Sequence, residues 1–293
     1  MRVLVTGGAG MLGTDVAEAA RAAGMDAVPC DLRGSAERMD ITDAGSVQSV
    51  LARVEPDVVI HCAAMTDVDG CERDPDAAYR VNAWGAWCVA SECSARDIPL
   101  CAISTDFVFD GGKGTPYVEY DVPGPLGQYA ASKLAGEGHV RSLCRRAWVV
   151  RTAWLFGVHG RCFPDTILRL AQRGDPLKVV ADQVGSPTYT ADLAPALLRL
   201  VVGAPYGTYH ITNSGEASWY DLASEALRVA GLGQIEVRPI RAADWPTPTA
   251  RPARSVLRNL ALEMQGLPLL PDWRDAVRRY VAQRAAMSGS KRS

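Results

Sequence analysis

The sequence predicts an α/β fold, built on a doubly wound parallel sheet with a smaller C-terminal α/β lobe. Three observations lead to this prediction. The chain opens with a short apolar run that breaks into glycines and continues as a helical apolar pattern. Buried-strand patterns then alternate with helical patterns, as in a parallel sheet with crossover helices. That regular alternation ends after residue 157, and shorter, less regular elements follow.

The opening segment, residues 3–13, has the sequence Val-Leu-Val-Thr-Gly-Gly-Ala-Gly-Met-Leu-Gly. It is typical of the strand, tight turn and helix of a dinucleotide-binding βαβ unit, so the predicted sheet is of the Rossmann type. Gly7 would permit the sharp turn, Gly10 would let the backbone approach a pyrophosphate, and Gly13 would let the helix pack closely on the strand. A purely structural turn is the alternative. The expected cofactor contacts here are Gly7, Gly10, Met11, Leu12 and Gly13.

The second predicted strand ends in Asp31. A carboxylate there can accept hydrogen bonds from the adenosine ribose hydroxyls, which favours NADH, whereas Arg33 could bind a 2′-phosphate, which favours NADPH. The sequence leaves that choice open, and an ordinary loop acid is the alternative for Asp31. Asp40, followed by Ile41, is the expected adenine contact, because the neighbouring Asp43 is explained by a helix N-cap.

Two later strand ends complete the predicted crevice. Ala63 and Ala64 are small, so the backbone there can come close to the nicotinamide side of a cofactor, and Met65 follows them as a further expected cofactor contact. Another buried strand ends in Ser104 and Thr105. Hydroxyl groups at the carboxyl end of a parallel strand lie where an open α/β sheet places its site.

The strongest chemical signal is Tyr129 with Lys133, one turn apart on one face of a predicted helix. A tyrosine has a pKa near ~10, and we expect the ammonium group and an oxidised nicotinamide to lower the pKa of Tyr129. Such a tyrosine can protonate an alkoxide formed by hydride transfer. This spacing is common by chance on helix surfaces, but here it follows a glycine-rich turn and the strand end at Thr105. The order predicts catalysis by Tyr129, Lys133 and Thr105.

Composition limits the remaining function classes. The formal charge of −2 argues against a nucleic-acid partner, because such domains usually carry a basic excess. No apolar stretch approaches the ~20 residues of a membrane-spanning helix, so we expect no membrane partner. The eight cysteines contain no Cys-x-x-Cys pair, and the four histidines lack ligand spacing. We therefore expect reduced thiols, a cytoplasmic location and no metal site.

Taken together, the motifs resemble the dTDP-4-dehydrorhamnose reductases, which are extended short-chain dehydrogenases. The resemblance spans almost the whole chain and keeps its order through both predicted lobes. The motifs are the glycine-rich turn at 6–13, Asp-Ile-Thr-Asp at 40–43, Ala-Ala-Met-Thr-Asp-Val-Asp at 63–69, Ser-Thr-Asp-Phe-Val-Phe-Asp-Gly at 104–111, Tyr-Ala-Ala-Ser-Lys-Leu-Ala-Gly-Glu at 129–137, Arg-Thr-Ala-Trp at 151–154 and Asp-Gln-Val-Gly-Ser-Pro-Thr at 182–188.

The resemblance implies that NADPH, or NADH, reduces the C4 ketone of a dTDP-sugar, dTDP-4-dehydrorhamnose, to give dTDP-L-rhamnose. It implies that Tyr129 donates the proton, that Lys133 tunes it and holds the nicotinamide ribose, and that Thr105 hydrogen-bonds the sugar carbonyl. Some relatives are dimers, so a homodimer is a further expectation. The implied substrate-binding residues are Thr66, Val68, Thr105, Asp106 and Trp154.

Three positions depart from the family pattern. Met65 stands where the family usually has Tyr or His, and Cys162 and Arg254 stand where it usually has Asn. The last two fall in regions expected to touch the nucleotide-sugar or shape its pocket. A reductase of another dTDP-4-keto-6-deoxyhexose, as in antibiotic sugar pathways, therefore stays open. From a different class, a non-catalytic nucleotide-binding regulatory subunit is the alternative.

The related nucleotide-sugar 4,6-dehydratases need a pair of acids directly after the strand-end Thr, but here Thr105 is followed by Asp106 and then Phe107. We expect residues 1–157 to form the NAD(P)-binding domain with the catalytic residues. Residues 158–286 would form mainly the substrate lobe, interleaved with the last sheet elements, and 287–293 a disordered tail.

Overall fold

The computed structural model describes residues 1–35 and 37–290, except for the side chains of 288–290. Its strands, in chain order, are β1 (Arg2–Thr6), β2 (Asp26–Asp31), β3 (Glu37–Arg38), β4 (Val58–His61), β5 (Leu100–Thr105), β6 (Ala147–Thr152), β7 (Leu155–Phe156), β8 (Leu177–Val180), β9 (Val184–Gly185), β10 (Thr188–Tyr189), β11 (Gly207–His210), β12 (Asn213–Ser214), β13 (Ala217–Ser218), β14 (Val237–Ile240) and β15 (Leu270–Asp272).

The helices are α1 (Met11–Ala22), α2 (Ala44–Val54), α3 (Val68–Arg73), α4 (Pro75–Tyr79), α5 (Gly85–Ala95), α6 (Gln128–Leu143), α7 (Phe163–Arg173), α8 (Thr190–Gly203), α9 (Trp219–Val229), α10 (Leu260–Met264) and α11 (Trp273–Ser290). A π-helical turn, Arg80–Trp84, joins α4 to α5. Short 3-10 turns occur at Asp106–Val108 and Ala242–Asp244.

The central sheet has seven parallel strands in the order β11-β6-β5-β4-β1-β2-β3. The chain runs outward from β1 to β3 and then crosses back to place β4 on the other side of β1. This reversal leaves a crevice at the carboxyl ends of β1, β4 and β5, where α/β sheets bind ligands. The predicted fold class is confirmed.

Apolar side chains of the sheet alternate between two layers of helices. On β1, Val3 and Val5 pack into a core shared with α1 and α8, whereas Leu4 packs into the core on the opposite face, with α2, α5 and α6. The period of two along the strand explains this division. Strands β4, β5 and β6 are buried along their whole length, as expected for strands covered on both faces.

The C-terminal lobe is built from pairs of short strands and three helices. Strand β14 pairs in parallel with β8, β13 pairs antiparallel with β9, and α7, α9 and α11 enclose a separate apolar core. Within residues 158–286, however, β11 joins the edge of the main sheet and α8 packs on α1. Helix α11 continues to Ser290, so 287–290 of the expected disordered tail is helical, and 291–293 lie outside the described residues.

None of the described helices combines the length and the hydropathy needed to cross a lipid bilayer. All eight cysteines are free, and all but Cys62 are buried. Burial raises the pKa of Cys30 and of Cys62 to about 12, so both thiols stay protonated near neutral pH. The buried cysteines therefore act as small apolar residues in this fold.

Candidate active site

A cavity of about 1370 Å³ runs along the carboxyl edge of the main sheet and continues against the lobe. Most residues singled out by the sequence lie on its wall, but Arg33 and Met65 do not. Their individual roles stay predictions. The predicted residues on the wall are Gly7, Gly10, Met11, Leu12, Gly13, Asp31, Asp40, Ile41, Ala63, Ala64, Thr66, Val68, Thr105, Asp106, Tyr129, Lys133 and Trp154.

The glycine-rich turn has the close contacts expected of a diphosphate cradle. Gly7 has φ +67°, and a Cβ there would lie 2.6 Å from the Ala63 nitrogen. A Cβ on Gly13 would lie 2.1 Å from the Gly7 carbonyl oxygen. Gly10 is the N-cap of α1, no side chain caps that helix, and its first turn contains no acid. The N-terminal N–H groups of α1 therefore suit an anionic ligand, and these residues fit a dinucleotide cofactor.

The two acids expected near the adenosine both have local structural partners. The Asp31 carboxylate accepts hydrogen bonds from the backbone N–H groups of Ala9 (3.1 Å) and Leu32 (2.7 Å). Asp40 accepts from the N–H and the hydroxyl of Thr42, at 2.9 and 2.8 Å. Both acids still border the cavity, whereas Arg33 is exposed and lies off its wall. Which of the two, Asp31 or Arg33, contacts the cofactor ribose stays a prediction.

The backbone of Met65 is fixed by Asn82, a residue that the sequence did not indicate. The Asn82 Oδ1 accepts from the Met65 N–H at 2.8 Å, and its Nδ2 donates to the Met65 carbonyl and to the Ser132 hydroxyl, both at 3.1 Å. Asn82 lies in the π-helical turn, which apolar periodicity does not reveal. It thus ties the cofactor-side loop to α6, the helix that carries the predicted catalytic pair.

Tyr129 is half-buried on the cavity wall near the start of α6. Burial raises its pKa above the usual value, while the interaction with the Thr105 hydroxyl lowers it in part. The sequence expectation of a lowered pKa includes the charge of an oxidised nicotinamide, and it stays a prediction for the complex. The phenol stays protonated at neutral pH, which suits a proton donor. Phe107 packs edge-on against its ring, 6.0 Å between centroids, where a dehydratase would have its second acid.

Lys133 is 9% exposed and reaches toward the sheet. Its Nζ donates to the Ile103 carbonyl oxygen at 2.7 Å. Burial lowers the pKa of Lys133 to about 8, although Glu137 acts in the opposite direction. The same surroundings hold the pKa of buried His61 at about 3, through burial first and then the charge of Lys133. His61 is therefore neutral, with its Nδ1 2.6 Å from the Thr6 hydroxyl oxygen.

Asp106 places a carboxyl group directly beside Thr105 on the cavity wall. It is 2% exposed, accepts from the Ser255 hydroxyl at 2.5 Å, and accepts from the Thr105 hydroxyl at 3.2 Å. Burial raises the pKa of Asp106 to about 7, and these hydroxyls lower it only partly. No cation pairs with Asp106 within the described part of the chain, so its charge depends on pH near neutrality.

Trp154 forms the lobe side of the cavity and adopts an unusual backbone conformation. Its φ is +47°, in the left-handed region that bulky residues rarely occupy. Its ring stacks on Trp219, 3.5 Å between centroids, and Phe163 packs on Trp219 at 4.7 Å. A Cβ on Gly185 would lie 2.4 Å from the Trp154 ring, so only glycine leaves room for the ring. Strained residues of this kind cluster at functional sites.

The sequence motifs identified only part of the lobe wall. Trp219 and Phe163 border the cavity, but no local spacing distinguishes them from core aromatics. Other wall residues that the sequence did not assign are Arg161, Thr166, Lys178, Gln183, Trp245 and Arg251.

The side chains of two family departures, Cys162 and Arg254, lie off the cavity wall. Cys162 is buried beside Tyr280, with 3.4 Å from its Sγ to the phenol oxygen, and does not border the cavity. Arg254 forms an ion pair with Glu216 at 2.6 Å and is also absent from the wall. Neither side chain borders the cavity, and both have other partners, so a direct contact with the nucleotide-sugar is not indicated, and the expectation that their regions shape the pocket stays a prediction.

His159 belongs to a cluster that sequence spacing could not show. Its Nε2 lies 3.5 Å from an Asp15 carboxylate oxygen and 3.3 Å from one of Glu18. Each of these three residues offers one atom that could bind a metal ion, and these atoms lie within 4.8 Å of one another. The contacts connect the segment after β7 to α1, which are far apart in the sequence.

The sequence was compared with protein families and with known proteins. The sequence model of the family described as RmlD substrate binding domain matches residues 1–286. The chain belongs to this family. It is 41% identical to the dTDP-4-dehydrorhamnose reductase of Mycolicibacterium smegmatis, over 96% of this chain and 85% of that protein. It is 39% identical to the dTDP-4-keto-6-deoxy-D-glucose reductase of Streptomyces niveus, over 94% and 95% of the two chains.

A solved relative supports membership of the RmlD substrate binding domain family. The crystal structure of dTDP-4-dehydrorhamnose reductase from Bacillus anthracis, in complex with NADP, superposes with a TM-score of 0.92 at 37% identity. The superposition covers 96% of this chain and 99% of that one. The family resemblance drawn from the ordered motifs is confirmed.

Proposed function

We propose that the protein is an NAD(P)H-dependent reductase of dTDP-4-keto-6-deoxysugars, with dTDP-4-dehydrorhamnose as substrate and dTDP-L-rhamnose as product. One observation carries this proposal. The hydroxyl of Thr105, the phenol of Tyr129 and the ammonium of Lys133 share one cavity with an uncapped glycine-rich helix N-terminus. The names of the relatives in Mycolicibacterium smegmatis and Bacillus anthracis support the same reaction.

The proposed roles follow from where each group lies. A nicotinamide cofactor supplies the hydride for the ketone carbon. Tyr129 donates its phenolic proton to the ketone oxygen, so ketone, hydride and proton together give the alcohol. In this proposal Thr105 orients that oxygen, and Lys133, one turn after Tyr129 on α6, tunes Tyr129 and holds the nicotinamide ribose. Thr66, Val68, Asp106 and Trp154 are the proposed sugar-binding residues.

We propose NADPH as the cofactor, supported by the relative solved with NADP. NADH is the second candidate, because the Asp31 carboxylate borders the cavity and can accept from ribose hydroxyls. Eight free cysteines support a cytoplasmic location. A homodimer stays a prediction, which light scattering on the purified protein would test.

Absorbance of NADPH during incubation with dTDP-4-dehydrorhamnose tests the proposal. We expect Tyr129→Phe to lower turnover at least ~100-fold while NADPH still binds, because positioned proton transfer contributes about that much. The matched control is Tyr206→Phe, since Tyr206 is exposed, contacts Arg146 and lies off the cavity wall. Equal turnover of wild type and Tyr129→Phe would remove Tyr129 from the mechanism.

A second candidate substrate is another dTDP-4-keto-6-deoxyhexose, favoured by the relative named for dTDP-4-keto-6-deoxy-D-glucose. The same assay with that sugar decides between them by the ratio of kcat/KM. If the protein binds NADPH but does not oxidise it with either sugar, the result would favour a regulatory nucleotide-binding protein.

A further inference from the structure

The segment 157–161 lies along one face of α1, on the side of the cofactor cradle. A Cβ on Gly160 would lie 2.9 Å from the Met11 Cβ, so the backbone there presses on the first residue of the helix. His159 contacts Asp15 and Glu18. Residues 11, 15 and 18 are four and three apart, so they share one helix face. The segment therefore runs toward the N-terminus of α1 and contacts the helix at two places, through Gly160 and through His159.

Arg161 follows these contacts directly and borders the cavity. Across residues 1–35 and 37–290 its side chain has no hydrogen-bond or ion-pair partner, and it is exposed. Another arginine on the wall, Arg251, differs because Asp69 neutralises it at 3.1 Å. The cavity thus has an unneutralised guanidinium next to the residue that touches the first turn of α1.

We propose that Arg161 binds the diphosphate of the dinucleotide cofactor, from the side opposite the glycine-rich turn. This inference rests on the proposed function. A diphosphate carries two negative charges, and the N-terminal N–H groups of α1 supply only partial positive charge. A guanidinium supplies a full charge and can donate two parallel hydrogen bonds to phosphate oxygens. The contacts of His159 and Gly160 with α1 keep Arg161 near that end of the helix.

The test is the dissociation constant of the full-length protein for NADPH and for NADH, measured by titration calorimetry. We expect Arg161→Ala to raise both constants about 10-fold, because a charge-assisted hydrogen bond typically contributes that much. Arg161→Lys keeps the positive charge but loses the two parallel hydrogen bonds, so its constants should lie between those of wild type and Arg161→Ala. Arg169→Ala is the control, since Arg169 is exposed on α7 and lies off the cavity wall. The melting temperature of each variant verifies folding.

The ligand panel separates this proposal from its competitors. Both cofactors contain the diphosphate, whereas only NADPH carries a 2′-phosphate. If Arg161→Ala weakens the binding of NADPH but not that of NADH, Arg161 contacts the 2′-phosphate and the proposal is overturned. Weaker binding of dTDP with unchanged cofactor binding would assign it to the substrate diphosphate and also overturn it. Unchanged binding of all three would exclude Arg161 as a phosphate ligand. Failure of the wild type to bind either cofactor would instead refute the proposed function.

Discussion

Asp106 and Glu137 are both almost completely buried near the predicted catalytic pair, at 2% and 3% exposure, yet their surroundings differ. Asp106, on the cavity wall, has only hydroxyl side chains as partners, and burial raises its pKa to about 7. Burial alone would also raise the pKa of Glu137, but hydrogen bonds and charges from Arg151, Ser104 and Arg141 hold it below the ordinary value. The charge of Asp106 therefore changes with pH near neutrality, whereas Glu137 stays a carboxylate.

The difference separates the cavity side of the sheet edge from the layer that supports it. In the supporting layer, Arg151 donates to both oxygens of Glu137, at 3.0 and 2.8 Å, and so joins β6 to α6. On the cavity side, Asp106 has no cationic partner among the described residues, and Trp154 has a strained backbone. An unpaired buried carboxyl group and a strained backbone are both unfavourable by themselves. They persist where the neighbouring structure is rigid, and they occur often at functional sites.

The largest effect should come from breaking the supporting pair. We expect Arg151→Met to lower the free energy of unfolding by about 3–5 kcal/mol, because it leaves the buried Glu137 carboxylate without its main partner. Urea denaturation measures this. Arg141→Ala removes a second, more exposed partner of Glu137 and should cost no more than about 1 kcal/mol. Equal losses for the two variants would mean that the buried pair has no special role.

A smaller loss should follow from crowding the cavity side. Gly185→Ala would push a methyl group into the Trp154 ring, so we expect about 1–3 kcal/mol of destabilisation and a raised KM for the sugar nucleotide. Gly138→Ala is the control, because nothing lies within 4 Å of a Cβ at that helix position. A normal KM in Gly185→Ala would show that the position of the Trp154 ring does not affect substrate binding.

The pH dependence of stability should distinguish the two carboxyls by sign. The pKa of Asp106 is raised in the folded protein, so its contribution to stability is present at low pH and is lost as pH rises toward 7. Asp106→Asn removes that loss. Relative to wild type, the variant should therefore gain about 2–3 kcal/mol in unfolding free energy between pH 5 and pH 8, nearly all of it below pH 7.

Chemical denaturation at the two pH values measures the gain. The control is Asp97→Asn, because Asp97 is a highly exposed surface carboxyl. Its difference from wild type should stay constant over that range. Parallel pH curves for wild type and Asp106→Asn would show that Asp106 remains ionised in the folded protein. Glu137, with its lowered pKa, has the opposite sign: its contribution is lost as pH falls.

Short-range spacing in the sequence was enough to predict which elements of the N-terminal half border the cavity. The glycine turn and the Tyr129–Lys133 pair each lie within one local element, and the strand ends meet because parallel strands share an edge. The Glu137–Arg151 pair could not be predicted, because it depends on how α6 packs across β6. The burial that raises the pKa of Tyr129 could not be predicted for a related reason, since it depends on tertiary packing rather than on spacing.

The lobe was less predictable because its cavity wall comes from separate short elements. Trp154, Phe163 and Trp219 belong to three segments, and their stacking appears only when β7, α7 and α9 come together. Asn82 was missed because a π-helical turn breaks the helical period that would have placed its side chain.

The smallest effect is expected at Cys162, a family departure whose side chain lies off the cavity wall. Cys162 is the N-cap of α7, its side chain makes no capping hydrogen bond, and its Sγ faces Tyr280 instead. Asn is a preferred N-cap residue, so Cys162→Asn should change the free energy of unfolding by no more than about 1 kcal/mol. Because Cys162 lies off the cavity wall, KM for the sugar nucleotide should stay within twofold. A KM shift as large as that of Gly185→Ala would show that Cys162 does affect substrate binding. Residues behind the cavity wall could then not be treated as purely supporting.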